Sequence, residues 1–117
     1  MTLLRDGVSH NPACFLAAHG QMVDGSDMPA CTGRLIRAHL IPRQLLRREG
    51  HDVLIPDRRT WVLACGGPTG AQGHHGMLDQ SRTLWLPRRA LPPLTEALAD
   101  ELGLAWYLDK EYGELIA

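Results

Sequence analysis

Three cysteines, Cys14, Cys31 and Cys65, share this chain with six histidines, two of which are adjacent at His74 and His75. An odd number of thiols cannot pair completely, so metal ligation is a better use for them than disulfides. Cys14, Cys31, Cys65 and one imidazole of the adjacent pair would complete a tetrahedral structural zinc site of Cys3His type. Cys14 is the least secure of these ligands, and His19 or Asp27 could replace it. A metal staple also suits the rest of the composition. The 117 residues allow a single domain, 1–117, and only 5% of them are aromatic, so the core is short of large rings and gains from an added crosslink.

The apolar pattern divides the chain into short elements. Residues 1–13 read as an extended start, and residues 20–33, with Gly20, Gly25, Pro29 and Gly33, as a loop. The run from Arg34 to Ile41 is strand-compatible. Pro42 then opens a helix at its first position, and Gly50 stops it. Val53–Ile55 reads as a short strand and Trp61–Ala64 as another, ending at Cys65. Residues 66–73 hold four glycines, each costing roughly 0.5–1 kcal/mol inside a regular element, so they form a flexible or tightly turned loop. A short helix follows from His75 to Gln80, and then a strand at Leu84–Leu86. Pro87, Pro92 and Pro93 precede a helical extension over 92–112, with an apolar stripe at Leu94, Ala97, Leu98 and Leu102 and a stop at Gly103. Trp61, Trp85 and Trp106 read as core anchors, and His10 and His51 as surface residues.

The net charge of −1 excludes nothing, but its distribution is uneven. Seven arginines between Arg34 and Arg59 face only Glu49, Asp52 and Asp57, whereas from Glu96 onward six acidic residues face Lys110 alone. A basic middle suits an anionic partner, and the guanidinium fork suits phosphate. No apolar run approaches the length of about 18 residues that a membrane span needs. The start, interrupted by Asp6, is no signal peptide, which leads to the expectation of a cytoplasmic protein.

Two segments carry the chemistry: Cys31-Thr-Gly-Arg-Leu-Ile-Arg-Ala-His39-Leu-Ile-Pro42, and Asp57-Arg-Arg-Thr60-Trp-Val-Leu-Ala-Cys65 followed by the glycine-rich loop and His74-His75-Gly-Met-Leu-Asp79. A histidine at the end of a strand is held rigidly enough to act as a general base. A histidine pair at a helix start can aim one imidazole at one metal and the other at a second site. Over about residues 31–79 these segments resemble the HNH endonuclease family, in the version Ala-His-x-x-Pro, Asp-x-x-Asn, Cys, His-His, Asp. The stretch from Arg34 to Gln44 is similar to small HNH-like proteins of actinobacterial phages, which are often associated with DNA packaging.

The resemblance implies an α+β chain: a small ββα-metal (HNH or treble-clef-like) zinc-stapled domain with C-terminal helices. It implies a core over 31–79, with Cys14 as an added zinc ligand. His39 would be the general base, His75 the ligand of a catalytic divalent cation such as Mg2+, Mn2+ or Ni2+, and His74 would take a zinc-knuckle position. Thr60 stands where the family has an orienting Asn, and Ala38 where a further metal ligand often precedes the base. Asp57, Asp79 or His51 would then be recruits to the catalytic cation. Arg34, Arg37, Arg43, Arg47 and Arg48 would hold the DNA backbone. The implied function is hydrolysis of DNA phosphodiesters, in the host cytoplasm if the chain is phage-encoded. The alternative is a non-cleaving zinc scaffold that binds DNA or a packaging, phage or bacterial protein. A third reading is an assembly protein whose acidic C-terminal helices dock on a larger complex.

Overall fold

The computed structural model describes residues 3–5 and 8–113. In chain order the elements are β1 (Leu3–Arg5), β2 (Val8–His10), α1 (Phe15–His19), β3 (Gln21–Met22), β4 (Leu35–His39), α2 (Arg43–Arg48), β5 (Trp61–Cys65), α3 (Gly73–Asp79), β6 (Leu84–Trp85), α4 (Pro93–Leu102) and α5 (Ala105–Tyr112). Single 3-10 turns lie at Asp52–Leu54, Arg58–Thr60 and Arg88–Ala90. The strands pair antiparallel as three two-stranded ribbons, β1 with β2, β3 with β6 and β4 with β5. The chain is therefore a small mixed α+β protein with short sheets.

The β4–β5 ribbon organises the rest. Its register sets Leu35 opposite Cys65, Arg37 opposite Leu63, and His39 opposite Trp61. Strand side chains alternate between faces, so Ala38, Val62 and Ala64 are buried together while Arg37, His39, Trp61 and Leu63 share the other face. Pro42 ends the strand region as the N-cap of α2, so the helix starts one residue later than its sequence signal. Leu45 and Leu46 of α2 enter the core with Leu40 and Ile41. Each such side chain, fully buried, contributes about 1.5–3 kcal/mol.

Val53–Ile55 is not a strand. Leu54 N–H donates to His51 O (2.9 Å) and Ile55 N–H to Asp52 O (3.1 Å), so the apolar triplet closes a helical turn and Val53 is exposed. The loop 66–73 is tightly turned. Gly73 has φ +62°, and a Cβ there would lie 2.6 Å from Cys65 O, so only glycine lets the start of α3 fold back against the end of β5.

The C-terminal helices complete the core. Pro93 occupies the first turn of α4, and Gly103, at φ 74°, stops it. Leu98, Ala99, Leu108 and Tyr112 are buried. Two hydrogen bonds tie these helices to the strand ends: Thr95 Oγ1 donates to Arg59 O (2.6 Å) and Tyr112 Oη to Leu40 O (2.7 Å). Trp85 is buried and Trp61 half-buried, but Trp106 is 48% exposed on α5, its ring edge-on to Tyr107, and is not a core anchor. Among the described residues, no helix is long and apolar enough to cross a membrane.

Candidate metal centre and adjacent cleft

Four segments converge beneath the ribbon. Cys14 caps the start of α1, Cys31 lies on the connection into β4, Cys65 ends β5, and His74 is the second residue of α3. One ligand atom from each falls within 4.8 Å of all the others. His74 Nδ1 lies 3.0 Å from Cys65 Sγ, 3.5 Å from Cys14 Sγ and 3.6 Å from Cys31 Sγ. A tetrahedral ion with Zn–S near 2.3 Å and Zn–N near 2.0 Å needs N···S edges of about 3.5 Å, so the spacing fits. Cys14, Cys31, Cys65 and His74 are positioned to bind a metal ion such as zinc. His19 and Asp27 stand outside the cluster, and the His19 ring packs on Phe15 at 4.5 Å.

The surrounding backbone prepares each donor. Pro29 O lies 2.7 Å from His74 Nε2. A carbonyl only accepts, so Nε2 carries the proton and Nδ1 turns its lone pair toward the three sulfurs, the tautomer that a metal requires. Each sulfur accepts a backbone N–H: Cys14 from Cys65 (3.4 Å), Cys31 from Asn11 (3.3 Å) and Cys65 from His74 (3.2 Å). Such donors favour thiolates. The hydrogen bond with Cys14, with the backbone N–H of His74 adding to it, holds Cys65 below the ordinary cysteine value. The same Cys14–Cys65 bond, reinforced by burial, pushes Cys14 up, and burial raises Cys31.

His10 is only 1% exposed rather than on the surface, with its ring centroid 5.7 Å from that of His74. It ends β2, and Asn11, the next residue, is the one bonded to Cys31, which draws the strand onto the centre. His51 is half-buried.

Beside the centre, a cleft of about 970 Å³ opens between α2, α3 and α5. His75, adjacent to the metal-site His74, lines it together with His39, Arg37, Arg43 and Arg47. His39 Nε2 donates to Ile55 O at 2.7 Å, and His75 Nδ1 to Gly70 O at 2.9 Å. The same tautomer argument leaves His39 Nδ1 and His75 Nε2 as lone-pair nitrogens. Burial holds His39 below the ordinary histidine value against the pull of its Ile55 bond, and Arg43, Arg37 and His75 add to the lowering. Its imidazole is therefore neutral at neutral pH.

Thr60 does not touch His39. It is fully buried, and its one hydroxyl proton is shared between Asp57 O (2.7 Å) and, more weakly, Ile55 O (3.2 Å), the carbonyl that also holds His39. Asp57 is engaged by Arg59, whose guanidinium and backbone N–H bond its carboxylate and lower it to about 2. It is therefore no free metal ligand. Asp79 is exposed at the cleft edge. Arg34 and Arg48 lie outside the cleft, Arg48 being 3.9 Å from Glu49. Among the described residues, Arg37, Arg43 and Arg47 have no carboxylate partner, whereas Arg59, Arg82 and Arg88 do. The far wall, with Arg82, Tyr107 and Glu111, carries no local sequence signal, because α5 reaches the cleft only through tertiary packing. The chain matches no protein-family model, no curated protein and no solved structure.

Proposed function

We propose that this chain is a metal-dependent endonuclease of HNH type that hydrolyses DNA phosphodiesters, with His39 as general base and His75 as ligand of a catalytic divalent cation. The observation that carries the reading is the cleft itself. Two imidazoles, each with its proton committed to a backbone carbonyl, share it with three guanidinia that no described carboxylate neutralises. The β4–β5 ribbon, with α2 inserted between its strands, followed by α3 and with the Cys3His cluster at the junction, supports a ββα-metal core stapled by structural zinc.

In this reading His39 Nδ1 takes a proton from the attacking water as its oxygen bonds to phosphorus and the bond to the leaving oxygen breaks. Thr60 is a positioning residue that steadies the Ile55 carbonyl behind His39. Arg43 and Arg47 hold the charged backbone without reading bases. A cation such as Mg2+, Mn2+ or Ni2+ bound at His75 would polarise the phosphoryl oxygen and stabilise the leaving one.

The test is nicking of supercoiled plasmid with each of these cations. His39→Ala should lower the rate by about 10²–10⁴-fold with zinc content unchanged. Equal activity in that variant removes the base assignment.

A second reading, a non-cleaving zinc scaffold that binds DNA or a phage or bacterial protein, is favoured by one observation. Among the described residues, only the Cys3His group assembles three or more ligands, and Ala38 is buried where a further ligand would stand. Bound zinc without cleavage under any cation would select it.

A further inference from the structure

The outer face of the β4–β5 ribbon carries a cationic feature beside His39. We propose that Arg37, held over the Trp61 ring, forms a subsite for the phosphate next to the scissile one on a nucleic-acid strand. The identity of the strand rests on the nuclease reading above. The Arg37 guanidinium carbon lies 4.6 Å from the Trp61 ring centroid. The indole is itself fixed, since its Nε1 donates to Pro56 O at 3.1 Å.

The cation–π contact holds the guanidinium over the ring, and N–H donors that no described carboxylate engages are available for a phosphate contact. Ordering the side chain in advance removes part of the entropy that a free arginine loses on binding. No described carboxylate pairs with Arg37, and it lines the same cleft as His39. Arg37 and His39 are two residues apart on one strand face, about 6.8 Å along the strand. This is of the order of the step between successive phosphates. An anion at Arg37 is therefore the polymer neighbour of the one at His39. Trp61 is a positioning residue in this arrangement and touches no phosphate itself.

The experiment is fluorescence anisotropy of a labelled DNA duplex with the zinc-loaded full chain, no other divalent cation added, across a salt series. Arg37→Gln should flatten the slope of log K against log salt by about 0.9, the loss of one phosphate contact. Trp61→Leu should weaken binding in the parent but not in an Arg37→Gln background, and Trp61→Phe should restore most of the affinity. Zinc content measured in every variant checks that the fold survives. The subsite is overturned by an unchanged slope in Arg37→Gln, by equal weakening from Trp61→Leu in both backgrounds, or by a parent that does not bind the duplex at low salt. Binding with the expected slopes but no plasmid nicking would end the nuclease reading and leave the phosphate subsite in place.

Discussion

At the scale of single residues, one device recurs three times. His39, His74 and His75 each give one ring proton to a backbone carbonyl, of Ile55, Pro29 and Gly70, and each thereby presents a bare nitrogen to a chosen side. For His39 the consequence is a pH dependence. Burial is the main cause of its lowered pKa. In the proposed reaction the neutral form would be the base, so activity would be present above that pKa and lost as pH falls through it. The acid limb of kcat/KM should thus lie below about 6.5. Arg37→Gln removes one of the charges that lower His39 and should move the limb toward higher pH, which a pH–rate profile reads directly. Thr60→Val tests the carbonyl behind His39. It removes a hydroxyl whose one proton is shared between Asp57 O and Ile55 O, at nearly constant volume, and should destabilise the fold by about 1–3 kcal/mol, with kcat falling more than KM changes. Unchanged kcat would free Thr60 of any part in positioning.

At the scale of elements, what could be read from the sequence was what has strong local signals. The strand before His39, the helix after Pro42 and the stop at Gly103 all show in residue type. Val53–Ile55 was misread because three apolar residues carry no period, and their turn is decided by hydrogen bonds to His51 and Asp52. Helix α1 has five residues and owes its formation to the burial of Leu16 and Ala17 rather than to a long apolar stripe. The four candidate zinc ligands were legible as residue types, whereas Pro29 O, Ile55 O and Gly70 O were not, because a carbonyl has no letter of its own. The glycine-rich loop was visible as irregular, but its purpose lies in one contact. Gly73→Ala should bring both left-handed strain of about 1–3 kcal/mol and a clash with Cys65 O, and so weaken zinc retention in a chelator titration. Gly50→Ala is the control, since φ there is +78° but the space around it is open. Comparable zinc loss from both would show that the contact at Gly73 is unimportant.

At the scale of the whole molecule, the ribbons are too short to hold a fold by themselves. One core is closed by α4 and α5, and the Cys3His cluster brings together four distant stretches of chain in position to bind a metal ion. The centre and the cleft meet at two adjacent residues of α3, His74 turned inward to the sulfurs and His75 facing the cleft. This division of labour is tested by the zinc content of purified protein, measured by elemental analysis and compared with Cys65→Ser, His74→Ala and His75→Ala. One zinc per chain is expected in the native protein and in His75→Ala, and its loss in Cys65→Ser and His74→Ala. A native protein without zinc, or a His75→Ala variant that loses it as His74→Ala does, would contradict it.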